Sequence, residues 1–281
     1  MTGGATTEWI AASDGLPIFC RSWEAAPNPR AEVLYVHGLA SHSGWIAALA
    51  SRLAAAGISV HALDLRGHGC TGPEPGRLPG PQRLLRDLET VHEVWAARRS
   101  SVPWFAMGTS LGGCLVTSFA RRVPHAQRGL ILISPAFDPI YLSTRESMRI
   151  AADLMGGGHM PVPTPRARGL RICGSQEVRD SLAADPFSLS TLSARAHFSA
   201  LRIVTRAKRD LAGVSIPVLC LQGERDPVVS ATKNRDRFAD RPDTTYRSIS
   251  DGFHDLGLEP DVGAIDRTVA TWIGEHADSK A

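Results

Sequence analysis

The chain has no long hydrophobic run, although 43% of its 281 residues are apolar. A membrane-spanning helix needs about 18 or more consecutive apolar residues, so the sequence predicts no transmembrane segment. The first fifteen residues (MTGGATTEWIAASDG) also lack the apolar stretch of a secretory signal peptide. We therefore expect a cytoplasmic protein whose apolar residues form a large globular core.

Cysteine is scarce, and its spacing does not favour pairing. An odd number of cysteines is scattered along the chain without a C-x-x-C pair, at Cys20, Cys70, Cys114, Cys173 and Cys220. This distribution argues against a disulfide framework and against a zinc site. We expect Cys114 to be a small buried core residue rather than a reactive thiol.

Three further patterns are absent from the sequence. It has no internal repeat, no glycine fingerprint of dinucleotide binding, and no mixed aromatic and basic stripe typical of nucleic-acid binding. We therefore expect no metal, no organic cofactor and no nucleic-acid partner.

The segment GTSLGG (108–113) places a serine among small residues between a predicted strand and a predicted helix. Residues 102–107 (VPWFAM) read as a buried strand and residues 111–122 as the helix that follows. A serine on such a tight turn needs glycine two positions before and after it, so that no side chain collides with the neighbouring elements. The context favours a nucleophile elbow with Ser110 as nucleophile over a packing turn or a phosphate-binding turn.

Two later predicted strands end in residues that can serve as acid and base. Residues 218–222 (VLCLQ) lead into Asp226, and residues 245–249 lead into His254. Open parallel sheets build their sites at the carboxyl ends of strands, so we expect Ser110, Asp226 and His254 on one rim. Asp64 also follows a strand, but it precedes the serine, which is the wrong order for this arrangement.

The predicted strand at 33–36 suggests an oxyanion hole, because it ends in His37, Gly38 and Leu39. Glycine allows a close backbone approach, so we expect the amides of Leu39 and Leu111 to point at the same place. Gly38 itself and Thr109 are candidates for substrate contact.

His42 has two interpretations. It is a further candidate for substrate contact, because it lies close to the predicted oxyanion loop. Alternatively, the His42-Ser43 pair begins a helix, with Ser43 as its cap. His37 and His68 are expected to hold loops together.

These motifs resemble the α/β-hydrolases, and within them the monoacylglycerol lipase and lysophospholipase-like branch, which is of the serine aminopeptidase type. The resemblance covers nearly the whole chain and rests on HGLASHSGW (37–45), DLRGHG (64–69), GTSLGG (108–113), QGERD (222–226) and GFHDLGLE (252–259). It implies an α/β-hydrolase fold, with a mostly parallel central sheet, helices on both faces and the catalytic roles on Ser110, Asp226 and His254. The chain departs from the branch at Thr109, at Trp45-Ile46 and at Cys70-Thr71, where the family has His, Arg-Tyr and Ser.

Residues 138–212 are too long for a loop and predict a helical cap inserted into a core formed by 1–137 and 213–281. Helices are expected at 144–154 and 191–208, and the glycines at 156–158 are a lid hinge or a helix stop. This segment carries eleven Lys/Arg against seven Asp/Glu. That excess either attracts anionic or interfacial substrates, with transient contact to a membrane surface, or forms a solvated face.

The sequence therefore predicts a serine hydrolase of carboxylic esters that works through an acyl-enzyme. An apolar pocket under the cap suits a monoacylglycerol, a lysophospholipid or a similar lipophilic ester of medium size. A thioesterase or lactonase needs the same machinery. A hydrolase-fold protein that only binds a ligand is less favoured, because no residue of the triad is missing.

Overall fold

The structure is a computed structural model that describes residues 4–25, 27–98, 101–123, 127–259 and 262–277. The remaining residues of the predicted core segments 1–137 and 213–281 lie outside these ranges. Within them, the strands are Thr6–Ala11 (β1), Pro17–Trp23 (β2), Ala31–Val36 (β3), Ile58–Leu63 (β4), Trp104–Thr109 (β5), Gly129–Ile133 (β6), Pro161–Pro163 (β7), Thr191–Ser193 (β8), Val218–Gly223 (β9) and Thr244–Ile249 (β10). The α-helices are Ala47–Ala55 (α1), Pro81–Ala96 (α2), Leu111–Arg122 (α3), Thr144–Met155 (α4), Gln176–Ala184 (α5), Ala194–Leu211 (α6), Ala231–Ala239 (α7) and Val262–Ala277 (α8).

Eight of these strands form one sheet in the order β1-β2-β4-β3-β5-β6-β9-β10. β1 pairs with β2 and β2 with β4 in antiparallel fashion, and all the other pairs are parallel. Ile133 lies opposite both Thr109 and Leu221, so β5, β6 and β9 end at one edge. The sheet confirms the predicted mostly parallel α/β architecture, and it brings the loops that carry Ser110 and Asp226 to that edge.

Helices cover both faces of the sheet, because strands buried on both sides need apolar cover on each. Residues of α1 and α8 pack with Val33 and Tyr35 on one face, while α2, α3 and α6 pack with Leu34 and Val36 on the other. The alternation along β3 follows the two-residue period of a strand. In the part of the chain that the structure describes, no helix combines the length and apolar character needed to cross a bilayer.

Residues 138–212 lie between β6 and β9 and are called the insertion below. They hold α4, α5 and α6 and the small antiparallel pair of β7 and β8. The expected helix at 191–208 begins later, at Ala194, because Thr191–Ser193 pairs with Pro161–Pro163 and the hydroxyl of Ser193 caps the helix at the amide of Ala196.

The structure also shows a helix in the insertion that the sequence did not predict, and it shows the position of the three glycines at 156–158. Helix α5 was not predicted; the hydroxyl of Ser175 caps it at the amide of Val178. Gly156 is the C-cap of α4, and Gly157 and Gly158 have φ of 110° and 73°, so the glycine run ends that helix.

Candidate active site

Ser110 lies in the turn between β5 and α3, with φ of 54° and ψ of −118°. A non-glycine residue at positive φ is strained and persists only where the surrounding structure enforces it. A Cβ atom on Gly108 would lie 2.5 Å from the carbonyl carbon of Gly112, and one on Gly112 would collide with the carbonyl oxygen of Val36. Strand and helix can therefore approach this closely only because both positions carry glycine.

Asp226 and His254 form a hydrogen-bonded pair in the loops that follow two neighbouring strands, β9 and β10. The Nδ1 atom of His254 lies 2.8 Å from Oδ2 of Asp226, which also accepts a hydrogen bond of 2.9 Å from the side chain of Gln222. The other oxygen of Asp226 accepts from the amides of Val228 and Val229, at 2.8 and 3.0 Å. The carboxylate therefore has four donors and is fixed in orientation.

In this pair, charges and hydrogen bonds shift both pKa values in the direction opposite to the effect of burial. Burial by itself raises the pKa of Asp226, but the charge of His254 and the hydrogen bonds outweigh it and hold that pKa below its ordinary value. Burial likewise lowers the pKa of His254, but the charge and hydrogen bond of Asp226 outweigh it, and the charge of Asp255 adds to the rise. An imidazolium at His254 is therefore stabilised.

The loop after β3 approaches Ser110 closely. A Cβ atom on Gly38 would lie 3.1 Å from Cβ of Ser110. The Nδ1 atom of His37 lies 2.7 Å from the carbonyl of Gly38, and its Nε2 accepts from the amide of Leu65 at 2.9 Å. Burial lowers the pKa of His37 to about 3, so this histidine is neutral and bridges two loops as expected. Convergence of the Leu39 and Leu111 amides stays a prediction.

A cavity of about 550 Å³ opens over Ser110. Gly38, Leu39, Leu111 and His254 line it from the core. The insertion and neighbouring loops contribute apolar side chains, including Trp45, Tyr141, Leu142, Ile150, Leu154, Ile172, Leu189, Phe198, Leu201 and Val204. Ser110 and His254 thus share a largely apolar chamber whose volume suits a medium-sized ligand.

Residues 27–261 match the Hydrolase_4 family, described as serine aminopeptidase, S33. The chain belongs to this family. It is similar to monoacylglycerol lipase of Mycolicibacterium smegmatis, with 25% identity over 271 residues that cover 95% of this chain and 96% of that protein. It is also similar to monoglyceride lipase of Rattus norvegicus, with 28% identity over 279 residues that cover 95% and 90%. These findings confirm the resemblance seen in the motifs.

The same fold is found in a solved structure of a soluble variant of monoglyceride lipase from Saccharomyces cerevisiae, in complex with a substrate analog. The TM-score is 0.85 at 19% sequence identity, and the match covers 100% of this chain and 97% of that one. This likeness confirms the predicted α/β-hydrolase fold.

In this Hydrolase_4 chain, side chains that the sequence reasoning missed position the acid and the histidine loop. The amide of Asn234 donates to Oε1 of Gln222 at 2.8 Å, and Gln222 in turn donates to Asp226. The carboxylate of Glu259 accepts from the amides of Phe253 and, in the insertion, Gly174. Gln222 and Glu259 stand within the motifs QGERD and GFHDLGLE, which was the available signal.

The His42-Ser43 pair begins a short helix, as one sequence interpretation expects, but His42 itself is the cap. Its Nδ1 accepts from the amide of Gly44 at 3.1 Å, so His42, and not Ser43, caps the short 3-10 helix Ser43–Ile46. Its Nε2 lies 2.8 Å from Oδ2 of Asp185 in the insertion. Ser43 was the wrong choice of cap because the residue before it already supplies the acceptor.

The other candidate side chains make hydrogen bonds or packing contacts within the described residues, and substrate contact by Thr109 stays a prediction. The hydroxyl of Thr109 accepts from the hydroxyl of Tyr35 at 3.0 Å, and neither Thr109 nor His42 is among the residues that line the cavity. Asp64 accepts from the amides of Ser43 and Cys70. Burial raises the pKa of the Cys114 thiol to about 12, as befits a core residue.

Proposed function

We propose that the chain is a serine hydrolase that cleaves carboxylic esters, with Ser110 as nucleophile, His254 as base and Asp226 as the orienting acid. The observation that carries the proposal is that His254, hydrogen-bonded to Asp226, lines the same cavity as the strained Ser110. A nucleophile, a base and a group that fixes the base are what acyl transfer requires.

Each group has a defined task in the reaction. Nε2 of His254 takes the proton of Ser110 as its Oγ attacks the ester carbonyl, while Asp226 holds the proton on Nδ1 and stabilises the imidazolium. The amides of Leu39 and Leu111 donate to the oxyanion. Collapse of the tetrahedral intermediate releases the alcohol, which receives the proton from His254, and leaves an acyl-enzyme. Water then repeats the attack and frees the acid. The mechanism uses no metal and no organic cofactor.

The substrate class follows from the cavity and the relatives. An apolar chamber of about 550 Å³ favours an ester with a hydrocarbon chain. The relatives from Mycolicibacterium smegmatis and rat carry the names monoacylglycerol lipase and monoglyceride lipase. Monoacylglycerols and similar lipophilic esters of medium size are therefore the proposed substrates.

The insertion is proposed to act as a cap that touches lipid surfaces. Among the described residues, most exposed large apolar side chains lie on it, namely Ile140, Met148, Met155, Phe187, Phe198 and Leu201. Exposed apolar residues together with an excess of basic side chains favour transient contact with an anionic lipid interface.

The decisive test is the variant Ser110→Ala, assayed on a panel of glycerol esters, lysophospholipids, thioesters and lactones ranked by kcat/KM. The variant should lose turnover of every substrate and lose labelling by a fluorophosphonate probe, with its unfolding temperature retained. Ser118→Ala, a buried serine two turns along α3, is the matched control and should keep both activity and labelling. Turnover by the alanine variant would refute the proposal, and a panel led by thioesters or lactones would redirect the substrate class.

A further inference from the structure

Lysine is rare in this chain and concentrated at one place. The sequence has three lysines against 28 arginines, and two of the three, Lys208 and Lys233, line the cavity over Ser110. Lys208 lies in the last turn of α6 and Lys233 in the first turn of α7. Both lysines and Asp138 therefore border the cavity, whose wall is otherwise largely apolar.

The two lysines belong to a cluster with Asp138 and Arg237, called the cationic cluster below. Lys208 Nζ lies 2.8 Å from one oxygen of Asp138, and Arg237 lies 2.6 Å from the other. Lys233 stands one helical turn before Arg237 on the same face of α7. Lys208 and Arg237 thus engage both oxygens of the Asp138 carboxylate, while Lys233 has no ion pair with it.

Lys233 differs from the other two cations. Among the described residues, no carboxylate lies within ion-pair distance of its ammonium group, and the residue is exposed. Ion pairing explains Lys208 and Arg237 as ties between α6, α7 and the segment after β6. It does not account for Lys233, which lines the cavity and has no carboxylate partner among the described residues.

The cationic cluster lies close to the reacting serine. The amide of Ala136 donates to the carbonyl of Ser110 at 3.0 Å, and Asp138 follows two residues later, at most about 7 Å further along an extended chain. Ser230 donates its amide to the carbonyl of Asp138 and accepts the amide of Lys233, which joins α7 to the same place.

We propose that Lys233, supported by Lys208, binds an anionic oxygen group of the substrate, a phosphate or carboxylate located within a few bonds of the scissile ester. The inference rests on the proposed ester hydrolysis and narrows its substrate class from neutral monoacylglycerols to acyl esters that carry such an anion. An anion in an apolar chamber needs a facing cation, and lysine provides a compact point charge that suits phosphate and carboxylate oxygens.

The test compares two pairs of soluble substrates that differ in one anionic group. Decanoylglycerol phosphate is paired with decanoylglycerol, and the nitrophenyl monoester of glutarate with nitrophenyl pentanoate, all at monomeric concentrations and low salt. The measured quantity is the ratio of kcat/KM for the anionic to the neutral member. In the wild type at least one ratio should exceed one and fall as salt is added. The phosphate pair reports an anion on the alcohol, and the glutarate pair reports one on the acyl group.

The variant Lys233→Gln should lower the favoured ratio about fivefold, the loss expected for one charge contact in water. Arg235→Gln is the matched control, because it removes the same charge from the same helix at an exposed position that does not line the cavity. Equal ratios in the wild type and Lys233→Gln would overturn the inference, as would an equal fall in Arg235→Gln.

A binding measurement separates this inference from the proposed hydrolysis. The ether analogue decylglycerol phosphate has no bond to cleave, and calorimetry gives its Kd for the wild type and for Lys233→Gln. A Kd about fivefold weaker in the variant supports the anion site even if no ester is hydrolysed. Unchanged binding overturns the anion site even if neutral esters are hydrolysed rapidly.

Discussion

The region around the sheet edge and the insertion differ in how many of their side chains are buried. In α3, which begins directly after Ser110, ten of the twelve residues are buried. In α4, one of the twelve residues, Ile150, is buried. Among the described residues, six exposed large apolar side chains lie on the insertion, and one, Trp9 on β1, lies outside it. One region is held by packing on every side, and the other presents apolar surface to its surroundings.

The difference assigns separate tasks to the two regions. At the sheet edge each reacting group is fixed by several partners, as the four donors to Asp226 illustrate, so the proposed chemistry depends on the core. The insertion supplies most of the cavity wall and the exposed apolar side chains, so it should govern which esters enter and from where.

A few contacts join the two regions at the loops that matter. The amide of Leu189 donates to the carbonyl of Ala40 in the loop after Gly38, at 3.1 Å. The amide of Asp255, beside His254, donates to the carbonyl of Ile172 at 2.8 Å. The insertion therefore contacts both the loop after β3 and the loop that carries His254.

The largest effect is expected in the core. Asp226→Asn should lower kcat about 10⁴-fold on every ester, because an amide in place of the carboxylate holds the wrong histidine tautomer. Asp64→Asn is the control, because Asp64 accepts hydrogen bonds from two backbone amides and does not contact His254. That variant should lower the unfolding temperature and have little effect on kcat. The assignment of the acid fails if Asp64→Asn proves the more damaging change to kcat and Asp226→Asn is mild.

The sequence predicted elements with strong local signals and missed those that depend on distant partners. Helix α3 has the expected bounds and strand β9 is one residue longer than expected, because an elbow glycine pattern and a buried apolar run define them locally. The hydrogen bond between His42 and Asp185 joins residues 143 positions apart, and no local sequence pattern predicts it. The pairing of Thr191–Ser193 with Pro161–Pro163 displaced a predicted helix start for the same reason.

The next effect concerns the cavity under the insertion. For straight-chain esters, kcat/KM should rise by up to about fourfold for each added methylene until the cavity of about 550 Å³ is filled, because a buried methylene contributes about 0.8 kcal/mol. Initial rates on an acyl series from acetate upward, at monomeric concentrations, provide the measurement. A profile that declines steadily from acetate would remove the lipid interpretation and leave the triad assignment intact.

A smaller effect is expected at the surface of the insertion. The double variant Met148→Ser and Met155→Ser should weaken binding to anionic lipid vesicles by up to about 100-fold, because each methionine that becomes buried in lipid contributes about 1.5 kcal/mol and both lie on the exposed face of α4. Vesicle sedimentation gives the partition coefficient, and a monomeric ester tests whether the site is intact. Trp9→Ser is the control, because Trp9 is a large exposed apolar side chain on the core. Equal losses in both variants would contradict docking through the insertion.

The smallest effect is a shift in the pH profile where the two regions meet. Free enzyme with a protonated His254 cannot take the serine proton, so kcat/KM should rise with pH through the pKa of His254, which lies above its ordinary value. Burial raises the pKa of Asp255 to about 6, so Asp255 is largely ionised where His254 titrates and adds to that rise. Asp255→Asn removes the charge and should move the acidic limb about half a unit toward lower pH.

The control for this shift is Asp251→Asn, which removes the same charge from an almost fully exposed carboxylate in the same loop. Solvent screens that carboxylate, so its loss should leave the acidic limb in place. Profiles of kcat/KM from pH 5 to 9 on one monomeric ester measure both variants. An acidic limb that stays put in Asp255→Asn, or moves toward higher pH, would show that the Asp255 carboxylate does not act on His254.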